Sequence, residues 1–477
     1  MTLPDDSHAP DRRIAGSFRD PSGYVFSLDG RIFRAVDEDC HGVLRGLSDE
    51  GLLGTLIEQR AVVGTRFVED EELRRTLAAE HPPFEHFLEH QVLSTITYPY
   101  EWSVSMLADA GVHTLDLQIR LLQSGCSLKD ATAYNVQFVE GRPVFIDLSS
   151  IERPRRLDVW FALGQFSQMF TYPLLLTRYC GWDLRSYFLA NLGGRGVEQV
   201  ARGFGWLQRL RPRLLLDVTL PAWLTTWAEK RGHGRRAALE KPNQNTGAQI
   251  LNLRRVRGKI ARLAAGYKPS GVWSQYTDIC NYDDEAEAAK KSAVREFLDS
   301  SRPRRVLDLG CNTGDYSRLA VEAGAEVLAA DADHDAVEIL YRRLREKPAP
   351  ITPVVVDLCN PSPPIGYMNR ERASFLDRVD ADCVLALALL HHLLVSGNLS
   401  LEAVCELMHE LTNRDLVLEF VPPDDDMFRR LMKFRVDLFG DLTLDACRDV
   451  FLRRFELLKE TALPDSKRTL LFLRKPE

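Results

Sequence analysis

Three aspartates stand at the ends of three successive short apolar runs. "RVLDLG" carries Asp308, "EVLAAD" ends on Asp331 and "VVVD" ends on Asp357. Gly310 and Gly314 follow the first acid in "DLGCNTG". Apolar runs of this length, separated by helical patterns, read as buried parallel strands, and ligands of such sheets bind outside the strands' carboxyl ends. The two glycines let the backbone approach a ligand and take dihedrals that other residues resist. Asn312 holds the middle glycine position of a dinucleotide fingerprint, so no pyrophosphate is required. Asp308 would repel a phosphate but suits a ligand bearing an amino group. Asp331 can accept both hydroxyls of a ribose, and Asp357 is placed to meet an adenine amino group. Alone, each acid reads equally well as a turn former or helix cap. Together they indicate a nucleoside ligand.

Two histidines, His391 and His392, follow a fourth apolar run in "CVLALALLHHLLV". Imidazole titrates near neutral pH and can take a proton from an acceptor group. The competing reading is a packed histidine. Glu419, at the end of "LVLEF", faces the same rim as an acceptor ligand or a helix cap. In "SGVWSQYTDICNYDDE" (270–285), Trp273, Tyr276 and Tyr282 are expected to form a lid over the cofactor, with Tyr276 in contact with it, the other reading being that they pack the domain junction. "NPSP" (360–363) follows the third apolar run and lacks an aromatic, so it is set aside as a motif, and "NRER" (369–372) reads as a solvated connection in preference to a clamp for an acidic acceptor.

A second constellation lies far upstream. In "SLKDATAYNVQFVEGRPVFIDL" (127–148), Asp130 and Asn135 are five apart, and a hairpin pattern then ends on Asp147. The bland reading is a turn followed by a hairpin whose last Asp caps what comes next.

The elements follow from the patterning. Residues 1–19 form a polar lead-in, expected to be mobile. "GYVFSLDGRIFRAV" (23–36) alternates around Asp29-Gly30, a hairpin signal. From 43 to 130 the pattern is mostly helical, clearest over 101–125, with Gly125 closing the helix. Helix continues to about 228. Residues 229–248 read as a linker and 249–300 as a helical bridge. From 304 onward strands and helices alternate as βαβαβ, closing with an antiparallel pair in "FELLKETAL" and "TLLFLRK".

The 477 residues exceed one ordinary core. A net charge of −7 argues against a protein coated for nucleic-acid binding. The basic stretches "RLRPRL" (209–214) and "KRGHGRR" (230–236) are read as solvated surface. Nine scattered cysteines without a CxxC pair fit reduced thiols in a cytoplasmic protein. The polar, acidic N-terminus is not expected to act as a signal peptide. No apolar run is long enough to span a bilayer, and no membrane contact is expected.

With these motifs in place, residues 304–477 resemble a class I S-adenosylmethionine-dependent methyltransferase. "VLDLGCNTG" is similar to the family's first motif, "LAAD" to its ribose-binding acid and "VVVDL" to its adenine-side acid. The resemblance implies a Rossmann-like seven-stranded sheet with a terminal antiparallel pair, and S-adenosyl-L-methionine as cofactor. It implies that Asp308, Gly310, Asn312 and Gly314 hold the methionine part, Asp331 the ribose, and Asp357 with Leu358 the adenine. His391, His392 and Glu419 are the candidates on the acceptor side, with no metal. Nodulation-type methyltransferase-like proteins resemble this layout.

Residues 20–228 are expected as an α+β, mostly helical domain that resembles a kinase or aminoglycoside phosphotransferase. That resemblance implies that Asp130 orients a hydroxyl and that Asn135 and Asp147 hold Mg²⁺. It departs from the pattern at Leu128, at Ser149, in having no glycine-rich phosphate loop, and in having Lys129 as the only lysine before Lys230.

The resulting division is 1–19, 20–228, 229–300 and 301–477. The expected activity is methyl transfer of the EC 2.1.1 type to a small-molecule acceptor, with a protein acceptor as the alternative. A non-catalytic regulatory protein that keeps the cofactor fold, or a bifunctional enzyme with a phosphotransfer site at Asp130, Asn135 and Asp147, are the other readings.

Overall fold

The computed structural model describes residues 13–231, 243–269, 284–432, 439 and 441–476. The chain opens on the expected hairpin. Strands β1 (Gly23–Leu28) and β2 (Arg31–Val36) pair antiparallel. Asp29 and Gly30 turn between them with φ of 47° and 73°, the mirror-image turn whose twist matches that of the strands. Strands β3 (Thr65–Phe67) and β4 (His86–His90) complete a four-stranded antiparallel sheet in the order β1-β2-β4-β3. Both lie in a stretch whose pattern suggested helix. At three and five residues they hold too few alternations to show a period of two.

The Val104–Gln123 helix is the central element of this half and is buried along most of its length. Gly125, with φ of 72°, follows its end as expected. Strands β5 (Ser127–Leu128) and β8 (Ile151–Glu152) pair with each other, enclosing the hairpin of β6 (Val136–Val139) and β7 (Arg142–Phe145).

The bridge expected over 249–300 divides between two cores. Leu253, Ile260 and Leu263 of the Gly247–Ala265 helix join the core around Val104–Gln123, and Arg257 grips Asp116 with two bonds of 2.6 and 2.9 Å. The Asp284–Ser301 helix packs on the C-terminal sheet instead, with Phe297 4.9 Å from Phe472. An apolar stripe states that a helix must be covered, not which core covers it. The end of the lead-in is also tied down: Arg13 bridges Phe26, and Arg19 donates twice to Glu371, at 3.0 and 2.7 Å. The first twelve residues, most of the 229–248 linker and the 270–283 lid with Tyr276 lie outside the described residues.

The C-terminal sheet comprises β9 (Arg305–Leu309), β10 (Glu326–Asp331), β11 (Ile351–Val355), β12 (Cys383–Ala386), β13 (Asp415–Phe420), β14 (Glu456–Ala462) and β15 (Thr469–Arg474). Their order is β11-β10-β9-β12-β13-β15-β14. The first five are parallel; β15 runs antiparallel to β13, and β14 antiparallel to β15. Helices cover both faces, which is why β13 is buried at every position. Chain order reverses between β9 and β12, which opens a crevice at their carboxyl ends. Among the described residues no helix is long and apolar enough to cross a membrane.

The two halves meet through the His334–Glu346 helix, which packs on Val104–Gln123. Ser103, the N-cap of Val104–Gln123, makes no side-chain capping bond. The cap comes from the other half. Val104 N–H donates to His334 Nε2 at 3.2 Å, and Ser105 N–H to Glu338 Oε2 at 2.9 Å. The Ser105 hydroxyl adds a bond to Glu338 Oε1 at 2.5 Å, and Arg342 Nε another at 2.7 Å. An anion at a helix N-terminus satisfies orphan donors and opposes the helix dipole. Glu338 is wholly buried, so Glu338→Ala is expected to cost about 3 kcal/mol in urea unfolding. Arg345→Ala, which breaks a half-exposed pair with Asp109, should cost less than about 1 kcal/mol in the same measurement.

Candidate active site

Three left-handed residues shape the turn after β9: Gly310, Asn312 and Gly314, with φ of 69°, 48° and 86°. Asparagine visits this region more readily than most side chains, which accounts for Asn312 between the glycines. The left-handed conformation favours glycine at 314, and a Cβ there would stand 2.5 Å from Leu340 Cδ1, which would have to shift. The turn is tied to the neighbouring strand. Gly310 and Cys311 N–H both donate to Ala330 O, at 2.8 and 3.2 Å. Asn312 N–H donates to Asp331 Oδ2 at 2.8 Å.

Asp308 lies in β9, between Ala329 of β10 and Leu385 of β12. It is buried, and Ser317 Oγ donates to its Oδ2 at 2.5 Å. Burial pushes its pKa up to about 6. Asp331 accepts the Asn312 and Asp333 N–H groups, one on each oxygen. Its pKa is raised as well, burial outweighing those bonds. A carboxylate offers about four acceptor sites, so Asp331 is not saturated by these bonds. Asp357 follows β11, is exposed and accepts Cys359 N–H at 2.9 Å; Leu358 beside it is buried. The three acids thus end three neighbouring strands at one edge of the crevice. The Asn312 side-chain oxygen is buried there without a protein partner. These groups fit an aminated nucleoside: open acceptor sites, a backbone turn without obstructing side chains, and an unpartnered buried oxygen.

His391 and His392 lie on the Leu390–Val395 helix after β12. Their ring centroids are 4.4 Å apart, and His391 stacks on Phe428 at 5.8 Å. Burial, then His392, Arg468 and Lys290, hold the His391 pKa well below its usual value. Its Nδ1 is buried without a protein partner. Burial also lowers the pKa of His392. Glu419 is wholly buried in β13 and does not stand on an open rim. Lys290 holds it at 2.6 Å and Arg468 at 3.4 Å, and these cations keep its pKa low although burial opposes the charge. Neither Ser317, Lys290 nor Arg468 was singled out from sequence. Lys290 sits on a helix before the first motif and Arg468 in the terminal hairpin, so no local spacing connects them to Glu419.

The upstream constellation also converges. Asn135 Nδ2 donates to Asp147 Oδ2 at 3.2 Å, and Asp130 is close enough to Asp147 that burial, then that carboxylate, raise its pKa. Arg34 of β2, nearly buried, occupies the other side: its Nη1 lies 2.9 Å from Asp147 Oδ1 and donates to Ser149 Oγ at 2.6 Å. Asp20 joins through Ser149 (2.8 Å) and Lys129 (3.1 Å). Asp147 therefore has a resident cation of the protein's own.

Two further features lie away from the crevice. A cleft of about 750 Å³ opens between the halves at the amino ends of the strands, lined by Arg60, Glu140, Arg305 and Asp380. Arg60 pairs with Glu140 on the N-terminal wall and Arg305 with Asp380 on the C-terminal wall. Glu38, His41 and His86 form a group of metal-type ligands. The imidazoles stack at 3.9 Å with 9° between planes, Glu38 is already bonded to His86, and the Arg45 guanidinium abuts His41.

The raised pKa of Asp308 has a consequence for stability. Between about pH 4 and 6 the folded chain keeps a proton that the unfolded chain has released, so stability falls as pH rises through that window. Asp308→Asn keeps an acceptor for Ser317 and removes the charge. It should be about 3 kcal/mol more stable than the parent near pH 7.5 and no different near pH 3.5, as read by thermal or urea unfolding at each pH.

No protein-family model matches the chain. Solved structures with a similar fold over part of it include the N-methyltransferase NodS from Bradyrhizobium japonicum WM9. That match is 13% identical and covers 41% of this chain and 99% of NodS, with a TM-score of 0.31. Another is the magnesium protoporphyrin IX methyltransferase ChlM from Synechocystis PCC 6803, 18% identical over 40% of this chain and 84% of that one, with a TM-score of 0.30. The sheet order and the turn after β9 agree with what the resemblance to class I methyltransferases implies. One relative matches from end to end: the nodulation protein NoeA of Rhizobium meliloti (strain 1021), 34% identical over 98% of this chain and 96% of its own length. The chain belongs to the NoeA family of nodulation proteins.

Proposed function

We propose that this protein transfers a methyl group from S-adenosyl-L-methionine to a small-molecule acceptor. The observation that carries this reading is the convergence of Asp308, Asp331 and Asp357 at the ends of β9, β10 and β11, around a turn with three left-handed residues. NodS and ChlM, the methyltransferases with a similar fold, have been solved with S-adenosylhomocysteine or S-adenosylmethionine.

In this reading Asp308 receives the cofactor's amino group, with Ser317 Oγ donating to its Oδ2. The turn over Gly310–Gly314 lies along the methionine part. Asp331 accepts the two ribose hydroxyls with its remaining lone pairs, and Asp357 with Leu358 holds the adenine. When bound, the cofactor supplies an already activated methyl group on a sulfonium. The protein's task is then alignment and exclusion of water. His391 and His392 are kept neutral by burial, so either offers a lone pair to an acceptor's proton. Glu419 fixes the crevice wall through Lys290 and Arg468 and takes no proton.

The convergence of Asp130, Asn135 and Asp147 supports a second role for the N-terminal half, as a scaffold derived from a phosphate-transferring site that shapes the acceptor's approach. Arg34 stands against Asp147, where a metal ion would otherwise be held.

Isothermal titration should show S-adenosylhomocysteine binding that Asp331→Ala weakens about a hundredfold, through loss of two hydrogen bonds to a charged acceptor. Absence of binding by the parent protein would end this reading. ATP with Mg²⁺ should leave the melting temperature unchanged. A rise that Asp147→Ala erases would instead mark a working phosphotransfer site.

A further inference from the structure

The stretch "RLRPRL" and the residues after it form a surface of unusual composition. Residues 212–231 run as nearly continuous helix through Pro212–Leu214, Leu215–Thr219 and Leu220–Arg231. One edge faces the N-terminal core through Leu214 and Val218, both fully buried. Another edge carries Leu216, Leu220, Trp223 and Leu224, whose spacing of four, three and one puts them on one stripe. They are 53%, 42%, 60% and 46% exposed. Just before them, Trp206, Leu207 and Leu210 are 73%, 63% and 61% exposed. Single exposed apolar residues are ordinary, but a run of them within 206–224 is a patch that marks an interaction.

Charge narrows the partner. Residues 200–225 hold four arginines, at 202, 209, 211 and 213, and one acid, Asp217. Lys259 neutralises Asp217 at 2.5 Å. The surface is therefore cationic on a chain whose net charge is −7. A second copy of the chain docked face to face would set these arginines against themselves, a like-charge contact. A bilayer surface with anionic headgroups meets both features. Tryptophan rings sit at headgroup depth, leucines enter the acyl boundary, and arginines reach the phosphates while their stems cover apolar surface.

We propose that the 206–224 face docks in the plane of an anionic lipid surface. No spanning helix is involved, and the proposal departs from the expectation that the protein makes no membrane contact. It stands independently of the methyl-transfer reading.

The test is co-sedimentation of the full chain with vesicles of phosphatidylcholine alone and of an equimolar mixture with phosphatidylglycerol. The protein should pellet with the anionic vesicles and be released by salt. Combined Arg211→Ala and Arg213→Ala should weaken partitioning about thirtyfold, at roughly fivefold per arginine. Combined Leu216→Ser and Trp223→Ser should abolish it, as should Trp206→Ser with Leu207→Ser on the neighbouring helix. All six positions are on the surface, so unchanged thermal unfolding verifies each variant. The proposal is overturned if the parent protein stays in the supernatant with anionic vesicles, or if the variants pellet as it does. It is also overturned if the parent protein is a dimer in solution that Leu216→Ser with Trp223→Ser converts to monomer.

Discussion

The buried carboxylate of Glu338 is the contact around which the two halves are organised. It caps the Val104–Gln123 helix from across the domain boundary, in place of Ser103. A buried anion left without those donors would be strongly destabilising, so the two halves cannot separate without uncovering both a helix end and a charge. Tyr341 and Arg345 of the same helix reach Asp109 one turn further along, and Tyr267 reaches Asp335.

The same helix carries the crevice. It begins just after Asp331, with Asp333 capping its first turn. Its opposite face sends Leu340 against Gly314, and Arg343 Nη1 donates to Thr313 O at 3.0 Å. One rigid element therefore positions the glycine turn and holds the N-terminal half. On the other side of the crevice, Glu419 between Lys290 and Arg468 ties β13 to the Asp284–Ser301 helix and to the terminal hairpin. Rigid support of this kind is what alignment chemistry requires.

The crevice was legible in the sequence because its determinants are local. Each acid closes its own short strand, and Gly310, Asn312 and Gly314 announce a left-handed turn by residue type. The alternation of strands and helices from 304 and the reversed terminal strand were equally plain. What escaped reading depends on distant partners. Nothing near Glu338 indicates that its bond is to Ser105, and nothing near Glu419 indicates Lys290. The Gly247–Ala265 helix shows its stripe but not its core. The stretch from Ser127 to Leu148 was legible as a loop and hairpin. Arg34, more than ninety residues away, gives that loop its present character by pairing with Asp147.

Hydrogen exchange of the full chain, with and without saturating S-adenosylhomocysteine, tests most directly whether the crevice is the nucleoside site. Slower exchange over 310–314 and 331–335 is the predicted result. Unchanged exchange over 310–314 would contradict the account, whatever happened elsewhere in the chain.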